Sequence, residues 1–152
     1  MPETRLCGII KKAPLYAAKT EQGTPEKGGT TMILKPLHVD FSVCQVADYS
    51  QTDLTGTYCF IGKTDEENSL VCPSAAVPAN ATKCDPGWQA FRIEGVLDFS
   101  LIGILSKIST ILADNEIGIF AVSTYNTDYV FTKAEQFDRA LSVLAAAGYT
   151  IA

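Results

Sequence analysis

Glu94-Gly95-Val96-Leu97-Asp98-Phe99-Ser100-Leu101-Ile102-Gly103, followed one helix later by Ile119-Phe120-Ala121-Val122-Ser123-Thr124-Tyr125-Asn126-Thr127-Asp128, decides how the second half of this chain folds. The first stretch puts an acid, a hydroxyl and a glycine where a strand turns into a helix. The second ends a buried strand in a cluster of polar groups. Ser100 is a good N-cap, and behind it Leu101, Ile104, Leu105, Ile108, Ile111 and Leu112 recur at helical spacing. That spacing predicts a helix to about Asn115, with Gly118 just past its end.

Outward from this pair, Gln89 to Glu94 alternates as a strand, and Ile119 to Thr124 and Tyr129 to Thr132 read as two more. Asn126-Thr127-Asp128 is turn chemistry, so the latter two form a hairpin. Ala134 to Ala147 places Phe137, Leu141, Leu144 and Ala145 on one helical face, and Gly148 stops that helix before a terminal strand Tyr149-Thr150-Ile151. The order βαββαβ describes a ferredoxin-like α+β sandwich, an antiparallel sheet with two helices on one face.

Upstream the signals are weaker. Residues 1–31 form an extension whose end, Thr20 to Gly29, is polar and rich in helix breakers, the composition of a flexible linker. Between Met32 and Pro86 the chain reads as short strands at Leu37 to Val46, Thr57 to Lys63 and Ser69 to Cys72, with Asp65-Glu66-Glu67-Asn68 turning between the last two. Ser74 to Thr82, with Pro73 and Pro78, allows at most one turn of helix.

Composition excludes several function classes. A chain of 152 residues, 47% hydrophobic, buries roughly 68–70% of its unfolded surface, enough for one core or two small ones. Formal net charge is −5 and the 12 Lys and Arg form no basic run, which disfavours nucleic acid as a partner. The longest apolar stretch, Leu97 to Leu112, is interrupted by Asp98, Lys107 and several serines and falls short of the ~20 residues that cross a bilayer, so no membrane association is expected. Leu6-Cys7-Gly8-Ile9-Ile10 is too short for a signal peptide, which makes the cytoplasm the expected location.

Enzyme chemistry finds little support. The cysteines Cys7, Cys44, Cys59, Cys72 and Cys84 are odd in number and irregularly spaced, the pattern of free thiols rather than a disulfide framework or zinc site. With a single His, His-rich metal sites are excluded, and neither metal nor cofactor is expected. His38 and Cys44 in one strand would stand roughly 20 Å apart, too far for a nucleophile and its base. Gly56 to Thr64 resembles a phosphate-binding loop only superficially, because it has one residue too many between its glycines, strand-like residues inside, and Asp65-Glu66-Glu67 behind it. No catalytic residue is assigned.

The run Gly87 to Leu105, together with Ile119 to Tyr129, closely resembles the small tandem ACT-domain proteins related to the CASTOR-type cytosolic arginine sensors and the aspartokinase-like ACT regulatory domains. Asp40-Phe41-Ser42-Val43-Cys44-Gln45 and Thr64 to Pro73 look like a degenerate first ACT unit of the same proteins. The resemblance implies two ferredoxin-like units, a degenerate one over 32–86 and a complete one over 87–152. It also implies regulation instead of catalysis: binding of a free amino acid or similar small metabolite at an interface between ACT units, in a homodimer or larger homo-oligomer with a regulated protein partner. The alternative is a protein-interaction module with a vestigial ligand site.

Carried onto this chain, the resemblance places ligand-binding residues at Asp98, Phe99, Ser100, Leu101, Ile102 and Gly103, and at Ser123, Thr124, Tyr125, Asn126 and Asp128. Physical chemistry supports the same set. The first amides of a helix after Ser100, those of Leu101, Ile102 and Gly103, offer partial positive charge to a carboxylate, and Gly103 lets a ligand approach closely. Asp98 or Asp128 could accept from an ammonium, while Ser123, Thr124 and Asn126 orient the remainder. Read alone, Ser100 also serves as a plain cap, Asp98 as a complement to the helix dipole, Gly103 as a close-packing residue, and Asn126-Thr127-Asp128 as an ordinary turn.

Overall fold

The computed structural model describes residues 10–12, 32–94 and 103–152. Its elements are β1 (Ile10–Lys12), β2 (Ile33–Val46), β3 (Phe60–Lys63), β4 (Asn68–Pro73), a 3-10 turn (Ser74–Ala76), β5 (Ala81–Ile93), α1 (Ile104–Asp114), β6 (Ile119–Ser123), β7 (Asp128–Lys133), α2 (Ala134–Ala146) and β8 (Thr150–Ile151). All the strands join one sheet in the order β1-β6-β7-β5-β2-β4-β3, with β8 beside the start of β2. The pairings are antiparallel except β2 with β8. The α+β ferredoxin-like class expected from the sequence is the one observed.

Two strands are longer than their sequence signals. β5 starts at Ala81 instead of Gln89 and runs through Pro86 and Gly87. Against β2, Phe41 faces Trp88 and Val43 faces Asp85, so three steps on β5 oppose two on β2. That extra residue is a β-bulge, and it accommodates both a proline and the left-handed Gly87, with φ of 81°. The boundary expected between residues 86 and 87 thus falls inside a strand. β2 likewise extends back to Ile33, where Ile33 and Leu34 pair with Thr150 and Ile151, so β2 lies between β5 and β8.

Both helices cover one face. Ile108 and Leu112 of α1 and Phe137, Ala140 and Leu144 of α2 bury against Leu34, Phe91, Ile93, Ile119 and Val130. Ala140 occupies the inner face in place of the expected Ala145, which is exposed, completing the i, i+3, i+4, i+7 stripe Phe137-Ala140-Leu141-Leu144. On the opposite face Phe41, Trp88, Phe120 and Phe131 form an aromatic core. Phe60 of β3 reaches Tyr129 and Phe131 of β7, with ring centroids 5.1 and 6.0 Å apart, although three strands separate β3 from β7. The sheet is therefore curled, and its concave side is filled by rings.

The helices end alike. Glu116 N–H donates to Ala113 O and Ile117 N–H to Leu112 O, both at 2.9 Å; Gly148 N–H donates to Ala145 O at 3.0 Å and Tyr149 N–H to Leu144 O at 3.1 Å. This is the Schellman arrangement twice over, which needs a left-handed residue just past each helix. Gly148 supplies it after α2, as expected, but Glu116, with φ of 57°, supplies it after α1, not Gly118.

Candidate functional site

β5 ends at Ile93, Glu94 follows, and residues 95–102 connect to Gly103 at the start of α1. Asp98, Phe99, Ser100, Leu101 and Ile102 lie outside the described residues. Within them, α1 opens at Ile104 behind Gly103 as N-cap, and Lys107 N–H donates to Gly103 O at 2.9 Å, a correction to the start behind Ser100. Gly103 adopts a left-handed φ of 84°, and a Cβ there would meet no described atom within 4 Å. The glycine therefore answers a backbone requirement, and no described atom packs against it.

The second loop is a tight turn closing the β6–β7 hairpin, where Ser123 pairs with Asp128. Thr124 N–H and Thr124 Oγ1 both donate to Thr127 O, at 2.9 and 2.8 Å, and Thr127 N–H donates back to Thr124 Oγ1 at 3.3 Å. Ser123, Thr124, Tyr125 and Asn126 face solvent, Tyr125 with 84% of its surface exposed, and Asp128 is half-buried. Thr127 alone turns inward: its hydroxyl donates to Ile93 O at 2.7 Å. That bond ties the turn to the point where the chain leaves β5 for residues 95–102. Thr127 was not among the expected site residues, because a threonine between Asn and Asp reads as turn chemistry, and only the hairpin register reveals that it points into the protein.

Charged groups gather at the same end of β5. Arg92 donates to both Glu94 carboxylate oxygens, at 3.2 and 3.4 Å, and Lys35 Nζ lies 3.6 Å from Glu94 Oε1. Arg92 is opposite Tyr129 in the β5–β7 register. Hydrogen bonding to Glu94, with a smaller contribution from the Tyr129 hydroxyl, raises the Arg92 guanidinium above its ordinary pKa. A cation is thereby held beside the turn, on the strand that leads into the first loop.

The turn has a counterpart in the other half of the sheet. Thr64 N–H donates to Glu67 O at 2.9 Å, and Glu66 and Glu67 N–H donate to Thr64 Oγ1 at 3.2 and 3.1 Å, where Lys63 pairs with Asn68 to close the β3–β4 hairpin. Asn68 Nδ2 then donates to Ala47 O at 3.0 Å, just past the end of β2. In both hairpins a threonine organises the turn, and a side chain at its far end fastens it to the end of a central strand.

Elsewhere the described residues offer little chemistry. Gly62 lies within β3, and a turn into β4 follows it, not a helix. His38 and Cys44 both lie in β2. Among the described residues, no group of three or more His, Cys, Asp or Glu side chains is placed to hold a metal ion, and no helix is long and apolar enough to cross a membrane.

Comparison with known proteins adds similarities to this geometry. No curated protein matches the chain. Among solved structures, it is similar to protein Atu0741 from Agobacterium tumefaciens, at 29% identity and a TM-score of 0.72 over 82% of this chain and 94% of that one. A Vibrio cholerae protein of unknown function, VC0802, shares the fold at 18% identity and a TM-score of 0.57, over 76% and 89% of the two chains. So does the allosteric aspartate kinase of Clostridium acetobutylicum, at 14% identity and a TM-score of 0.54, over 76% of this chain and 34% of the kinase. Residues 83–146, from within β5 to the last residue of α2, match the ACT domain family.

Proposed function

We propose that this chain is a non-enzymatic regulatory protein that binds a free amino acid or a similar small metabolite between residues 98–103 and the turn Ser123–Asp128. The observation that carries the reading is the Thr127 hydroxyl on Ile93 O, which holds an exposed polar turn against the root of the loop leading to α1. The ACT match over residues 83–146 supports it, since ACT domains are typically regulatory modules that bind small molecules.

The sheet supports a tandem arrangement, with an extension over 1–31, a degenerate ACT-like unit over 32–86 and a complete one over 87–152. β6-β7-β5 on one side mirrors β3-β4-β2 on the other, the two halves meet along β2 and β5, and each carries the same threonine turn. The short 3-10 turn Ser74–Ala76 stands where α2 stands in the complete unit. The ends of such a sheet need cover, which favours a homodimer or larger homo-oligomer. A ligand held between two units fixes their relation and so changes the surface shown to a protein partner, by linkage.

Thermal unfolding of the purified protein against each common amino acid tests the reading. A ligand at ~100 times its dissociation constant adds about 2.7 kcal/mol, which moves the midpoint by several degrees. A shift with one or a few amino acids is expected. A flat panel contradicts the amino-acid reading and favours an interaction module with a vestigial site.

A further inference from the structure

Cys44 and Cys84 occupy directly opposed positions on β2 and β5, the two strands that form the centre of the sheet, and their sulfurs are 3.3 Å apart. Cys44 is buried, and Cys84 is exposed. Opposed residues of an antiparallel pair have Cα atoms roughly 4.5–5.5 Å apart, inside the span a disulfide bridges. Closing from contact to a bond of about 2.05 Å needs a modest side-chain adjustment and leaves the strands where they are. Cys72, by contrast, faces Ser42 across β2–β4. The pairing is invisible in sequence, because 40 residues separate the two cysteines.

We propose that Cys44 and Cys84 are a reversible dithiol–disulfide pair, oxidised by a small disulfide such as oxidised glutathione, that cross-links the two halves of the sheet along the β2–β5 seam. Cys84, the exposed member, attacks first: its thiolate displaces one glutathione thiolate, which takes up a proton, and a mixed disulfide remains on Cys84. Cys44 then attacks the Cys84 sulfur, and its proton goes to the departing second glutathione. Two protein thiols and one glutathione disulfide become one protein disulfide and two glutathione thiols, a balanced two-electron exchange. Cys44 is buried with its sulfur 3.3 Å from that of Cys84, so it meets a mixed disulfide on its opposed neighbour and not an oxidant in solution.

The test uses the full chain equilibrated with excess oxidised glutathione, followed by acid quenching, thiol titration in denaturant and peptide mapping. The expected result is a Cys44–Cys84 linked peptide free of glutathione, with full recovery of thiols on dithiothreitol. The Cys84→Ser variant, altered only at an exposed position, is expected to lose the linked peptide, whereas Cys59→Ser keeps it. An unchanged thiol count, oxidation that stops at glutathionylated Cys84, or a link joining other cysteines or two chains would each overturn the proposal.

Discussion

The Thr127 hydroxyl donates to the carbonyl of Ile93, the last residue of β5, at 2.7 Å, from a residue 9% exposed. Thr127→Val keeps the shape and removes the donor to Ile93 O. Loss of one such bond costs about 0.5–1.5 kcal/mol. Urea denaturation is expected to show a lower midpoint at unchanged slope. If the bond also positions the turn for a ligand, the same variant binds more weakly.

Asp128 is half-buried and pairs with Ser123 at the mouth of the hairpin. Asp128→Ala is expected to leave folding within about 0.5 kcal/mol, as for surface changes generally. Loss of a charge-assisted hydrogen bond to a ligand ammonium should weaken binding roughly tenfold or more. Unchanged affinity by calorimetry would remove Asp128 from the site.

Glu116 carries a left-handed φ of 57° in a position that Gly148 fills in the companion helix. Left-handed backbone costs a residue with a Cβ roughly 1–2 kcal/mol, partly offset by the extra chain entropy of glycine. Glu116→Gly should therefore stabilise the fold by up to about 1 kcal/mol, a rise of roughly 2–4 °C in the thermal midpoint. A fall in midpoint would mean that the Glu116 side chain contributes more than its backbone costs.

Burial raises three described thiols from an ordinary value of 9.0, Cys44 to about 12, Cys72 to about 11, and Cys59 in the same direction. The unfolded chain releases these protons first, so the stability they represent is complete below pH 9 and is lost as pH rises toward the folded values. Under reducing conditions, denaturation midpoints should fall above pH 9, and Cys72→Ala should fall less steeply over the same range. Parallel wild-type and variant profiles would argue against the raised thiol.

The elements legible in sequence are those whose pattern is local. Ile104, Ile108 and Leu112 mark α1, the apolar run Ile119 to Val122 marks β6, and Asp65-Glu66-Glu67 marks a hairpin turn; each stands where periodicity or turn chemistry put it. What escaped depends on partners distant in sequence. Asp85-Pro86-Gly87 has the composition of a chain break, yet the opposing strand absorbs it as a bulge. Ile33 and Leu34 give little strand signal alone and are held by β5 on one side and β8 on the other. At the candidate site, Gly103, Ser123, Thr124, Tyr125, Asn126 and Asp128 were named from sequence, with Asp98, Phe99, Ser100, Leu101 and Ile102, which lie outside the described residues. Thr127, the residue that fastens the turn, was not, because its hydroxyl finds its acceptor 34 residues away.

The most direct test of ligand binding at this site is an amide NMR titration of the 15N-labelled full chain with the common amino acids. Saturable shifts concentrated at Gly103 and Ser123–Asp128, with one or a few amino acids, are the expected result. No perturbation with any of them, or saturable perturbation elsewhere while these amides stay fixed, would contradict the proposed site.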